Sequence, residues 1–355
     1  MKRLLLIAIV IILIAPTVNA QRKIVHLPDI PGYVTLKCDF HMHTVFSDGS
    51  VWPLNRVAEA YRDGLDAISI TDHIEYSPKK DYIPIDHNAA WKIAEPAAKE
   101  GNLLLVHGSE ITRDMPPGHL NALFITDGNA LAKDSVYDAI AEAVNQGAFI
   151  QWNHPGWKSQ EKDGIPKLYD IHKKLLGKGW IHGIEFFNDG EYYPLVLDFC
   201  KKYNLAVMGN SDVHGIISES YKAPHDSNRP MTLVFAKKRD IESLKEAMFA
   251  GRTISYSRDM IGGKEELVKP FFYQSITVGK IFYENTKNRY FEIRNNTDIP
   301  YNLINGPAGA PPAITLGANA VTRVVLSNKF TGPLVYDVSN IMTGSESVLK
   351  VEIKY

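Results

Sequence analysis

Six short apolar runs, at residues 34–41, 66–71, 103–109, 148–153, 181–187 and 205–209, alternate with amphipathic stretches. That alternation constrains the fold more than any other feature of the chain. Apolar runs of this length, separated by helical patterns of 10–15 residues, specify right-handed βαβ units and a parallel sheet, open or closed into a barrel. The helical spacing is explicit in places. Pro53 suits a first helical position, Leu54, Val57, Ala58 and Tyr61 follow at i, i+3, i+4 and i+7, and Gly64 ends the segment. Residues 135–146 repeat the pattern with Val136, Ile140, Ala143 and Val144 on one face. Helices are expected again at 166–176, 192–203 and 240–250, two of them stopped by Gly177 and Gly251.

The pattern changes after about Arg258. Residues 260–270 read as a short helix. Beyond them lie β-rich runs at 274–281, 289–294, 313–316, 320–326, 334–338 and 348–353, with turns supplied by Asn295, Asn296, Asp298, Pro300 and the stretch 305–312. A small all-β, sandwich-like domain at 259–355 accommodates them, behind a larger α/β unit at 21–258.

The first twenty residues read as an export signal. Lys2 and Arg3 precede twelve apolar residues at 4–15, Pro16 breaks the run, and Val18-Asn19-Ala20 offers small residues for cleavage. Twelve is short of the ~20 needed to span a bilayer, so the mature chain is expected in the periplasm or outside the cell, without a stable membrane span. The formal net charge is −1 and the basic residues are scattered, which disfavours a groove for long nucleic acid. Cys38 and Cys200 are too few for a disulfide framework and read as buried thiols.

Chemistry collects at the strand ends. The first strand closes on Asp39-Phe40-His41-Met42-His43, where period-2 alternation sends Asp39, His41 and His43 to one side. Asp48 follows on the next loop. Thr71-Asp72-His73, Gly108-Ser109-Glu110, His119, Asn153-His154-Pro155 and Asn210-Ser211-Asp212-Val213-His214 occupy later strand ends or the segments behind them. The C-terminal face of a parallel α/β sheet or barrel is where such residues converge on a site. Six imidazoles and three carboxylates (His41, His43, Asp48, His73, Glu110, His119, His154, Asp212 and His214) exceed the needs of one ion. With no thiolate among them, they suit zinc, manganese or iron.

As an ordered set, the motifs HMH with downstream Ser47-Asp48-Gly49, TDH, GSE, His119 before Leu-Asn-Ala, NHP and SDVH resemble those of the PHP (polymerase and histidinol phosphatase) metal-dependent phosphoesterases, over roughly residues 34–256. The resemblance implies a distorted (β/α)7 barrel and three divalent metal ions. One ion would take His41, His43, Glu110 and Asp212. A second would share Glu110 with His119 and His154, and a third would take Asp48, His73 and His214. Some members carry a histidine at the position of Asp48. Asp39 and Asp72 are expected behind ligand histidines, fixing their tautomers, with general acid/base work as the alternative for Asp72. Arg113 and Lys158 are candidates for phosphate contacts or for surface ion pairs. Asn153 and Asn210 are candidates for orienting backbone or binding substrate. Trp157 is a candidate for lining the cleft, and Trp152 for the core.

The implied activity is hydrolysis of a small phosphate ester, a diester in preference to a monoester. The exported location and the β annex are similar to the organophosphate-degrading bacterial phosphodiesterases of the Sb-PDE type. A phosphomonoesterase on the same fold and a metal-loaded binding protein without turnover are the competing readings. Metal-dependent amidohydrolases also carry HxH barrels, but no lysine occupies a strand end here.

Overall fold

All six expected strands are present in the computed structural model, which describes residues 21–221 and 229–355. The expected leader lies outside the described residues. Strands β1 (Val34–Asp39), β2 (Ala67–Ile70) and β3 (Leu104–Ile111) pair in parallel, with helices Pro53–Arg62 and Ala89–Glu100 between them. A short strand, β4 (Leu120–Leu123), runs antiparallel to both β3 and β5 (Phe149–Trp152). Parallel pairing then resumes through β6 (Gly183–Asn188) to β8 (Ala206–Asn210), with the two-residue β7 (Glu191–Tyr192) hairpinned onto β6. The ring closes where Met42, just past β1, bridges in parallel to Val213, just past β8. The strands β1, β2, β3, β4, β5, β6 and β8 form the distorted seven-stranded barrel. Its antiparallel member is the distortion.

Strands β9 (Met231–Ala236), β10 (Thr253–Ser257) and β11 (Met260–Gly263) extend the sheet beyond β1, all antiparallel. The helix expected over 260–270 is thus a strand at its start, where the Gly262–Gly263 pair is a poor helix former. The helix proper is Glu265–Ser275, and only Ile276–Val278 of the expected run 274–281 is extended.

The C-terminal unit is all β. One sheet holds β12 (Ile276–Val278), β13 (Tyr283–Glu284), β14 (Asn288–Asn295) and β17 (Val321–Ser327). The other holds β15 (Tyr301–Ile304), β16 (Ile314–Leu316), β18 (Leu334–Gly344) and β19 (Ser347–Ile353). Phe291 and Ile293 of β14 are buried while Glu292 and Arg294 are exposed, the alternation of a strand with one face on a core.

No core boundary coincides with residue 258. A cut there separates the paired strands β10 and β11, and β11 continues in parallel into β18 of the sandwich. One apolar cluster runs from Ile254, Tyr256 and Ile261 through Phe271 and Phe272 to Phe291, Tyr301, Tyr336 and Ile341. Cys38 and Cys200 are buried, unpaired thiols. No helix among the described residues is long and apolar enough to cross a membrane.

A fully buried phenylalanine in a shared core stabilises both units. Phe272→Ala should cost about 3–5 kcal/mol and lower the melting of barrel and sandwich together. Urea unfolding followed in parallel by far-UV circular dichroism and tryptophan fluorescence should show one coincident transition. Of the five tryptophans, all lie in the barrel half, so a sandwich that melts separately would appear only in the dichroism.

Candidate metal centre

The barrel brings all nine candidate ligands to one mouth. Parallel strands carry His41 and His43 just past β1, His73 past β2, Glu110 near the end of β3, His154 past β5, and Asp212 and His214 past β8. His119 arrives differently. Because β4 runs antiparallel, the residue before its first position sits at the same mouth as the residues after the others. A backbone bridge between His73 and Glu110 and the hydrogen bonds Asp212 N–His41 O and His43 N–Val213 O hold these ends in register.

The loop with Asp48 needs Gly49. A Cβ there would lie 2.6 Å from the His43 carbonyl carbon and the Thr44 nitrogen, so only glycine lets this turn lie flat against the segment after β1. Two of the nine residues, His154 (φ 25°) and Asp212 (φ 50°), sit at positive φ. Such strain, about 1–3 kcal/mol per residue, is retained where the surroundings over-determine it.

Four groups of side chains could each hold an ion: His41, His43 and Asp212; His41, Glu110 and His154; His73, Glu110 and His119; and His43, Asp48, His73 and His214, their ligand atoms all within 4.8 Å of one another in each group. Together the groups contain every one of the nine. They partition the ligands differently from the family pattern, placing His73 with Glu110 and His119, and His43 with the Asp48 group. Glu110 is fully buried, with Oε1 3.1 Å from His119 Nδ1 and Oε2 2.6 Å from His73 Nδ1.

Four buried atoms, His41 Nε2, His43 Nε2, Glu110 Oε2 and Asp212 Oδ1, make no well-directed hydrogen bond, although they face one another at 3.0–3.6 Å and Glu110 Oε2 also lies 2.6 Å from His73 Nδ1. Buried polar atoms left without partners are costly. Unpartnered lone pairs that converge are what a cation satisfies, so the residues fit a bound metal. The electrostatics agree. Burial, reinforced by the neighbouring His73, drives His43 down to about 3. Against the same burial penalty, Glu110 and Asp48 raise His73 to about 10. The imidazoles around Glu110 and Asp212 hold both carboxyls well below the usual range despite their burial. These carboxylates stay ionised and demand positive charge.

Behind the ligands lies a group that no motif announced. Glu185, in the middle of β6, is fully buried. Its Oε1 lies 2.9 Å from His41 Nδ1, and it accepts hydrogen bonds from Asn210 Nδ2, Gln151 Nε2, Asn188 Nδ2 and the His154 backbone N–H. A carboxylate on Nδ1 holds a proton there, so Nε2 is the nitrogen aimed at the cluster and available to a metal. The role expected of Asp39 is thus filled by Glu185.

Several expectations are corrected. Asp39 lies two residues down the strand, ~6.6 Å below His41. There it is paired with Arg229 and accepts from the Ser211 hydroxyl and N–H, touching no imidazole. Asp72 accepts from Thr44 N–H (2.7 Å), Thr44 Oγ1 (2.6 Å) and Ser47 Oγ (2.6 Å). It fixes the turn that presents Asp48 and does not orient His73, whose Nδ1 meets Thr112 and Glu110. Arg113 is tied to Glu75 at 2.7 Å and to the Lys133 carbonyl. Lys158 is exposed outside the cleft. Asn153 donates to Glu110 and Asn121, and Asn210 to Glu185 and Gln151. Both are buried orienting groups, and neither lines the cleft.

Trp152 is core, stacked on His172, whereas Trp157 lines the cleft. Two histidines outside the ligand set have ordinary partners: His172 meets the Tyr169 N–H and the Pro117 carbonyl, and His182 accepts from Ile150 N–H, its pKa pushed down to about 4 by burial.

Known proteins of similar sequence and structure bear out the family. A crystal structure from Bacteroides vulgatus, described as a two-domain protein containing a predicted PHP-like metal-dependent phosphoesterase, is 40% identical, covers 95% of this chain and 100% of its own, and superposes with a TM-score of 0.91. A family model described as an Ig-like domain matches residues 276–354. An uncharacterized protein of Methanocaldococcus jannaschii is 26% identical over 192 residues, 50% of this chain and 82% of its own. A 5'-3' exoribonuclease of Haemophilus influenzae is 27% identical over 142 residues, 40% of this chain. The chain spans under half (46%) of that exoribonuclease's length. This chain belongs to the PHP-like metal-dependent phosphoesterases, with an Ig-like domain at its C-terminus.

Chelation should expose the charge conflict at the mouth. Treatment with a strong chelator should lower the melting temperature, and adding back a divalent ion should restore it. Glu185→Ala should weaken metal affinity about 10–100-fold, measured by competition with a chromogenic chelator.

Proposed function

We propose that this chain is an exported hydrolase of small phosphodiesters that works with three divalent ions, zinc, manganese or iron, shared among His41, His43, Asp48, His73, Glu110, His119, His154, Asp212 and His214. The convergence of four buried, unpartnered ligand atoms carries the reading. The overlap of the four candidate groups at His41, His43, His73 and Glu110 supports more than one ion, closely spaced. Such ions, when bound, lower the pKa of a coordinated water and neutralise phosphoryl oxygens during in-line displacement.

The chain's own residues supply the frame. Glu185 holds His41 as the tautomer that presents Nε2, and Asn153 holds Glu110 at 2.8 Å so that its second oxygen faces the cluster. Arg56 is fully buried and donates to the carbonyls of His43, Val213 and Gly215, which ties the segments that carry His43, Asp212 and His214.

The preference for diesters rests on the cleft wall. Among the described residues that line it there is no lysine or arginine, while Asp189 and Glu191 stand at its rim. A monoester dianion gains most from cationic side chains, and with Arg113 held by Glu75 the described cleft wall offers it none. A diester brings a single negative charge. Export agrees with a scavenging role and rests on the leader at residues 1–20. Cell fractionation with and without those residues tests it.

The assay is a ratio of kcat/KM for bis(4-nitrophenyl) phosphate over 4-nitrophenyl phosphate, with one metal at one pH. Diester preference is expected, and a monoester preference of about tenfold, ~1.4 kcal/mol in barrier, would overturn it. Glu110→Gln and Asp212→Asn should abolish turnover of both esters while the far-UV spectrum is retained. His172→Ala should leave turnover within a few fold.

A further inference from the structure

We propose that the cleft selects diesters whose second alcohol carries a positive charge, an ammonium or quaternary ammonium group, over neutral or anionic diesters. This rests on the diesterase reading above.

The cleft encloses about 320 Å³. Its floor is the candidate metal centre, where Glu110 Oε2 and Asp212 Oδ1 are buried without a well-directed hydrogen bond. Its rim is of a different character. Trp157, 40% exposed, stands with its ring centroid 5.3 Å from that of His154 and 5.9 Å from that of His119. Asp189, on the turn between β6 and β7, and Glu191, the first residue of β7, complete the wall.

These three residues are brought together by close packing. A Cβ on Gly156 would lie 2.8 Å from the ring of Tyr193, so the turn that carries Trp157 sits directly on that ring. The same Tyr193 donates its hydroxyl to Glu191 at 2.8 Å, and Tyr221 donates to Asp189 at 3.1 Å. Among the described residues, the two carboxylates thus accept from neutral hydroxyls. Arg258 approaches Gly190, between the two acids, yet does not line the cleft.

An aromatic face beside two carboxylates is a receptor for an alkylammonium. The ring quadrupole attracts the cation within ~6 Å of the centroid, and the apolar shell of a quaternary nitrogen is the less costly to desolvate. The charges also sort along the substrate, with the phosphoryl anion against the metal floor and the ammonium at the acidic rim. An anionic alcohol would set like charges together at the same rim.

The test uses the full, metal-loaded chain and two esters with one leaving group and one shape: 4-nitrophenyl phosphocholine and its uncharged carbon isostere, 4-nitrophenyl 3,3-dimethylbutyl phosphate. The charged ester should have the higher kcat/KM by about tenfold. That ratio should fall toward one in Asp189→Asn and in Trp157→Leu. Equal kcat/KM for the two esters in the unaltered protein would overturn the proposal, as would a ratio that neither substitution changes. In both cases the diesterase reading would stand. Failure of both esters to turn over under any metal would overturn that reading too.

Discussion

Everything at the barrel mouth depends on one conflict. Glu110 is a carboxylate removed from water and Asp212 one largely so, both are kept ionised, and the imidazoles facing them cannot all be charged at once. His43 is driven toward the neutral form while His73 is driven toward the cation. A divalent ion resolves this by supplying charge without a proton. The protein contributes rigidity: Glu185, Asn153, Asn210 and Asn121 form a saturated layer beneath the ligands, and Arg56 grips three carbonyls along the segments that carry them. The strained backbone at His154 and Asp212 is tolerated because that layer leaves no alternative.

The parts of this design that were legible in the sequence are the parts that lie at strand ends. There a chemical residue interrupts an apolar run, and HMH, TDH, NHP and SDVH are visible for that reason. Glu185 was not legible, because it stands inside the run GIEFFN with apolar neighbours on both sides. Its one signal was a carboxylate in an otherwise apolar β-strand, which only a partner can justify. Asp39 misled for the opposite reason. Alternation gives the face of a strand on which a side chain lies, but not its depth, and one layer down Asp39 meets Arg229.

The fold was legible to a similar degree. Parallel strands followed by helices carry two distinct periods, whereas β4 is four residues inside the run HLNALFI and announces no turn. Its reversal matters nonetheless, since it brings His119 to the mouth from the opposite chain direction. Strands β9 and β10 flank helix Ile241–Phe249 and were overshadowed by it. In the sandwich, long alternating strands such as β14 were legible, but β15, only four residues between turn formers, was not.

The parallel joint between β11 and β18 sets the order in which this molecule can be completed. Ile261 pairs with Ile341, so the outer strand of the metal-bearing half stays open-edged until almost the whole chain is available. Contacts of such sequence separation form late, and their loop entropy must be met before they return anything. A chain emerging from its N-terminus during synthesis would present the ligand-bearing strands first and finish their enclosure last. During that interval β11 is an unpaired edge, exposed to neighbouring chains. The Ig-like domain is thus a built-in partner for that edge, tethered close by from the moment it emerges.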